Sequence, residues 1–139
     1  MTEDKTTIHV FRLMPGQDLK KYIWHYVMEH QLEAAWVLTA VGSLTNYSIR
    51  FASQAEPASS KGHFEILGLS GTMGLDGVHL HISIADSKGK TLGGHLMEGC
   101  LVFTTVELVI QEGNSISFNR KHDGSTPWKE LDIRKRAMK

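Results

Sequence analysis

The sequence predicts an α+β fold: a largely antiparallel β-sheet with one principal N-terminal helix. Three observations predict it. Segments of alternating or β-branched apolar residues succeed one another through short turns. One stretch only, Gln17 to Gln31, carries its apolar residues at helical spacing. The chain has 139 residues, enough for one hydrophobic core and too few for two.

Ile8 to Leu13 alternates apolar and polar residues and is the first expected strand, broken by Met14-Pro15-Gly16. In the helix, Asp18 falls in the first turn, where a carboxylate suits the dipole. Leu19, Tyr22, Ile23, Tyr26, Val27 and His30 form one stripe for the core. Trp24 and Met28 lie off it, which points either to a wide buried face or to a subunit contact. Ala34 to Val41 and Leu44 to Ala52 are expected as two strands joined at Gly42-Ser43. Residues 53–62 are polar and rich in turn formers, the best candidate for a mobile loop. His63 to Met73 is the next strand, with an interruption expected near Gly71; a turn follows within Gly74 to Gly77. Val78 to Ala85 is a strand, and Asp86-Ser87-Lys88-Gly89 turns the chain back. Leu101 to Gln111 is long and β-branched. Glu112-Gly113-Asn114 turns it into a short last strand, Ser115 to Asn119. A single domain over residues 1–133 is expected, followed by a basic tail over 134–139 that frays.

Fifteen Lys and Arg balance fifteen Asp and Glu, so the net charge is zero. Duplex-DNA binders ordinarily carry a marked cationic excess, so bulk charge gives that role no support. The single cysteine, Cys100, excludes an intrachain disulfide framework and suits a reduced setting. Met1-Thr2-Glu3-Asp4-Lys5 is charged and has no apolar h-region, and no stretch approaches a membrane span. The expectation is a cytoplasmic protein.

The chemistry of the chain is concentrated in its histidines. His79 and His81 are two residues apart in a strand pattern, hence on one face. His95 follows a turn and the pair Gly93-Gly94, in a run able to fold back beside the first. Three converging imidazoles can hold zinc and leave a fourth position open. The bland alternative is three seam histidines with ordinary hydrogen bonds. Leu80, Ile82 and Ile84 share the core face of the strand, while His79, His81, Ser83 and Ala85 share the other. The later strand splits likewise: Val102, Val106, Leu108 and Ile110 on one side, Phe103, Thr105, Glu107 and Val109 on the other. One helix covers one face, so a second copy of the chain is expected over the other.

No carboxylate has a spacing that makes it a general base; Glu98, Glu65 and Glu107 are the candidates. Gly93-Gly94 precedes a strand, not a helix, which argues against a phosphate cradle and for close backbone approach. Cys100 heads an apolar strand and is expected as a small core residue. His9, His25, His30, His63 and His122 are expected in structural or surface roles, with His63 a weak candidate for the same pocket. Arg50 and Arg120 either line an anion pocket or sit on its rim.

Phe64-Glu65-Ile66-Leu67-Gly68-Leu69-Ser70-Gly71-Thr72 resembles the F-E-I-L-S-L-S-G strand of a known family. Gly42-Ser43-Leu44, His79-Leu80-His81-Ile82-Ser83, Gly93-Gly94-His95-Leu96 and Glu98-Gly99-Cys100 resemble its other signatures, in order. The family is the plant and prokaryote conserved (PPC) domain, also described as PD1-like or AT-hook-associated. The resemblance implies an antiparallel sheet with one principal helix, a homotrimer, and a DNA-binding role as the family label. It also implies a metal site on His79, His81 and His95. Plant members carry an Arg-Gly-Arg-Pro hook, which this sequence lacks, so it is similar to the stand-alone prokaryotic type. Two other readings follow from the open metal position and the expected assembly. One is a metal-dependent enzyme or small anionic-ligand sensor, the other a trimeric scaffold.

Overall fold

The structure, a computed structural model, describes residues 5–136. The charged opening at residues 1–4 and the last three residues of the basic tail lie outside the described residues. The elements run β1 (Thr6–Leu13), α1 (Leu19–Glu29), β2 (Ala35–Arg50), β3 (Ala58–Gly74), β4 (Gly77–Ala85), β5 (Thr91–Leu96), β6 (Leu101–Gly113), β7 (Ile116–Lys121) and β8 (Glu130–Lys135). Six strands form one antiparallel sheet in the order β1-β6-β2-β3-β4-β5. The end of β2 also pairs with β5, so β2 to β5 close on themselves while β6 and β1 extend the sheet. The α+β expectation holds.

Several boundaries differ from those expected, each for a visible reason. Gly42 is not a turn: β2 runs straight through it, with register shifts against β6 on either side. Its φ is +155°, and a Cβ there would lie 2.1 Å from the Thr105 carbonyl oxygen. Glycine at this point admits β6, and the strand bends without breaking. Gly71 does the same for β4: φ is +146° and a Cβ would lie 2.0 Å from the His79 oxygen. The expected interruption of β3 is therefore a close crossing. The polar loop is also shorter than expected, because residues 58–61 pair with the end of β2 as part of β3.

The helix begins two residues later than expected. Asp18 is its N-cap, not a first-turn residue: one carboxylate oxygen accepts from the Lys21 N–H at 3.1 Å. The other accepts from the Gly99 N–H at 2.7 Å, tying the helix start to the turn before β6. Leu19, Ile23 and Val27 are fully buried, and Trp24 packs against the core from its edge. Trp24 thus belongs to a widened buried face, while Met28 is exposed. His30 is exposed as well, outside the stripe assigned to it; its ring and backbone N–H close the helix on the Tyr26 carbonyl. Phe11 of β1 stacks on Tyr26 at 4.4 Å and lies beside Tyr22, which fixes the helix on the inner face of the sheet.

Strand parity is as the sequence predicts. Leu80, Ile82 and Ile84 of β4 and Val102, Val106, Leu108 and Ile110 of β6 are buried under the helix and the curled sheet. Across the outer face of β1, β6 and β2, Val10 stands opposite Val109, with Ile8, Val41 and Phe103 nearby in the same face or at its edge. Val10 is 71% exposed and Val41 54%.

The basic tail does not fray where expected. The boundary expected after residue 133 falls within β8, which pairs with β7 from Ile116↔Lys135 to Lys121↔Glu130. Arg136 donates its backbone N–H to the Ser115 oxygen at 2.9 Å, and its guanidinium pairs with Glu33. Glu112, buried beside it, also faces His9 at 3.0 Å.

Replacing Gly71 with Ala forces β3 and β4 apart at a strained φ. Urea unfolding should show a loss of about 2–4 kcal/mol. A loss below about 1 kcal/mol would mean that the crossing is not tight.

Candidate metal centre

The three sequence-nominated histidines meet. His81 of β4 stands directly opposite His95 of β5, and His79 lies one same-face position along β4. Residues opposite one another in an antiparallel pair share a face. The ring centroids are 5.1, 5.2 and 5.7 Å apart. One nitrogen from each ring can be chosen so that all three lie within 4.8 Å of one another. Tetrahedral zinc with Zn–N bonds of about 2.0–2.1 Å needs nitrogens about 3.3 Å apart, a difference that small ring rotations cover. The donor set fits a borderline-soft divalent ion.

Gly93-Gly94 is what lets β5 occupy its place. A Cβ on Gly93 would sit 2.6 Å from the Ile82 oxygen, and one on Gly94 2.6 Å from the Arg50 oxygen. The glycine pair therefore serves close approach within the chain. It inserts β5 between β4 and the end of β2, and Arg50 comes opposite His95. Ser70, His81, His95 and Arg50 thus form one row across four strands.

A cavity of about 460 Å³ opens beside His79 and His95, lined also by Arg50, Asp76, Val78, Arg120, Trp128, Lys129 and Glu130. Both arginines that sequence reasoning left between pocket and rim belong to it. Arg120 donates to the Thr72 hydroxyl at 3.1 Å, and Thr72 is the register partner of His79. Its backbone N–H donates to Asp76 at 2.9 Å. Trp128, Lys129 and Glu130 were missed because β8, although Glu130-Leu131-Asp132-Ile133-Arg134 alternates, is short and follows the turn-rich residues 122–127. Asp76, in the tight turn between β3 and β4, gave no signal beyond an ordinary turn residue.

His79 and His95 favour the neutral, ligating form. Burial lowers the His95 pKa to about 4, with Arg50 the next cause and His79 after it. His79 is also held below the usual histidine range, by burial and then by His81 and Arg120.

The other candidates lie elsewhere. His63 stacks on Phe103 at 4.3 Å and does not join the group. His9 serves the Glu112 pair and His30 caps the helix, while His25 and His122 are exposed. Glu65 stands opposite Ala85, Glu107 opposite Arg12, and Glu98 in the exposed turn before Cys100; none lines the cavity. Cys100 is buried, and burial raises its thiol to about 11, so it is a core residue and not a nucleophile.

Comparison with known proteins places the chain in a family. The model of the Plants and Prokaryotes Conserved (PCC) domain matches residues 1–114. Two cyanobacterial proteins from Synechococcus, each named bifunctional protein GlmU, are 44% identical over 94% and 91% of the chain. The chain spans about a fifth of their length (21% and 20%). AT-hook motif nuclear-localized protein 13 of Arabidopsis thaliana is 29% identical over 86% of this chain and 29% of its own length. Among solved structures, a hypothetical protein from Salmonella is 39% identical with a TM-score of 0.94, covering 98% of this chain and 99% of its own. A plant- and prokaryote-conserved protein from Pyrococcus horikoshii is 28% identical with a TM-score of 0.70, covering 95% and 99%. The metal-containing protein AF0104 from Archaeoglobus fulgidus is 25% identical with a TM-score of 0.75, covering 94% and 99%.

The lowered His95 pKa has a sign. Unfolded imidazole takes a proton near pH 6.5, while folded His95 resists until about pH 4. Metal-free protein therefore loses stability as pH falls through that interval. Thermal melts should show the decline, His95→Gln should flatten it, and NMR titration should find the His95 ring neutral at pH 5. A His95 that titrates at its ordinary value would contradict the burial described.

Proposed function

The chain belongs to the Plants and Prokaryotes Conserved domain family, and from that premise we propose that it is a homotrimeric metal-binding module of the cytoplasm. Its centre, His79, His81 and His95, holds zinc or a similar divalent ion and presents the remaining coordination position to a small ligand. The observation that carries this reading is the convergence of three imidazoles within 4.8 Å beside an open cavity. The metal-containing relative from Archaeoglobus supports it. The ion would fix and polarise the ligand; the chain's own part is to hold the three rings together, with His79 and His95 kept neutral, and to keep the cavity in shape.

Binding or sensing suits the cavity better than turnover. The two carboxylates in its wall already serve the fold: Asp76 accepts from the Arg120 N–H, and Glu130 from the Thr126 hydroxyl at 2.7 Å. The family's DNA-binding label draws no support from bulk charge, which is zero net. The homotrimer is the cover for the outer face of β1, β6 and β2, where Ile8, Val10 and Val41 lie open.

Tag-free protein should carry one divalent ion per chain by elemental analysis, and His81→Ala should weaken zinc affinity about a hundredfold or more. Wild type without stoichiometric metal after zinc loading would end the reading. Light scattering should give a trimer mass that Val10→Asp reduces. A monomeric wild type would remove the assembly. Titration against duplex DNA should show no salt-dependent affinity; a clear salt slope would restore the nucleic-acid role.

A further inference from the structure

The cavity beside the three imidazoles has a second wall that the family match does not reach. The match ends at residue 114, while Arg120, Trp128, Lys129 and Glu130 come from the β7–β8 hairpin and its connecting loop. That hairpin is fixed and not an idle extension. The Arg120 backbone is bonded to Asp76, its guanidinium to Thr72, and the Phe118 N–H donates to the Glu33 oxygen at 2.8 Å. Arg50 faces the cavity from the other side, opposite His95, and donates to the Gln54 oxygen at 3.3 Å.

The charge in this space is unbalanced. Arg50 and Arg120 each use one side-chain hydrogen bond to the fold, so most of the five N–H donors of each guanidinium remain. Among the described residues neither forms a salt bridge. Lys129 adds a third cation, against the two lining carboxylates Asp76 and Glu130, whose hydrogen bonds to neutral donors leave their charge in place; the wall carries one cation in excess. A divalent ion on three neutral imidazoles would leave its full charge unneutralised at the same place. A space of about 460 Å³ is far larger than a bare inorganic anion needs and falls in the range of metabolite sites. Val78 and Trp128 provide apolar wall for a carbon body.

We propose that this cavity binds a small oxyanion, a carboxylate or phosphate group on a metabolite-sized body. One oxygen ligates the metal, and the others accept hydrogen bonds from Arg50 and Arg120. The β7–β8 hairpin sets which anion fits. The proposal rests on the metal reading above and adds the class of ligand and the residues that select it. Arg50 lies within the part common to the family and gives general anion affinity. Arg120 lies on the hairpin beyond residues 1–114 of the family model and adds selectivity.

The test uses full-length, tag-free protein loaded with cobalt in place of zinc, with acetate and inorganic phosphate as separate probes. The visible d–d bands of cobalt should change saturably with at least one probe, and the better probe identifies the oxyanion. Arg120→Gln and, independently, Arg50→Gln should weaken that response about tenfold or more. Cobalt stoichiometry should stay unchanged in both, and Lys88→Gln in the β4–β5 turn should behave as wild type. Bound cobalt whose bands ignore both anions, or arginine variants that respond like wild type, would overturn the anion pocket and leave the metal centre standing. Failure to bind cobalt or zinc at all would overturn the metal reading and this proposal together.

Discussion

The insertion of β5 between β4 and the end of β2 is the constraint on which the site depends. It needs a backbone without side chains at two successive positions, since Cβ atoms on Gly93 and Gly94 would collide with the Ile82 and Arg50 carbonyl oxygens. Once admitted, β5 closes the curl of β2, β3, β4 and β5. The same pairing puts His95 between His81 and Arg50. Metal donors and cationic wall are thus consequences of one packing event. A bulkier residue in either glycine position would perturb both at once.

The two ends of the molecule are organised by different forces. Under the helix, burial of Leu19, Ile23, Val27 and the inner residues of β6 supplies ordinary apolar stabilisation. At the histidine end the outer face of β4 is mildly polar and open: His79 and His81 are exposed and Ser83 half-buried. That open character keeps a hollow there. The C-terminal hairpin is held against this end by specific polar contacts, notably Arg120 with Thr72 and Asp76, and by the Arg136–Glu33 pair. Such contacts fix orientation more than they add stability.

Much of this was legible in the sequence because strand parity is a strict period of two. Leu80, Ile82 and Ile84 could be assigned to the core, and His79 with His81 to a common opposite face, before any contact was known. The convergence of His95 was legible through the turn at Asp86, whose carboxylate accepts the Lys88 and Lys90 N–H groups. Glycine was the residue read least well. Gly42 and Gly71 carry no local mark that separates a turn from a crossing, since the distinction lies in a carbonyl on a strand remote in sequence. Of the final hairpin, β7 was legible as the short strand Ser115 to Asn119, whereas β8 was not, because its brief alternation of Leu131 and Ile133 stands isolated after a turn-rich stretch. Asp18 was placed two positions too deep, since its tie to the Gly99 N–H is invisible from the helix sequence.

The row Ser70–His81–His95–Arg50 joins groups of very different separation along the chain. The three imidazoles belong to a single hairpin, so bringing them together closes a short loop at low entropic cost. Arg120 reaches the same place only through docking of the final hairpin, where its guanidinium donates to Thr72, 48 residues earlier in the chain. Contacts between such distant segments form slowly. The two halves of the site therefore differ in what assembles them: the histidine hairpin is local in the chain, and the Arg120 wall depends on a long-range contact.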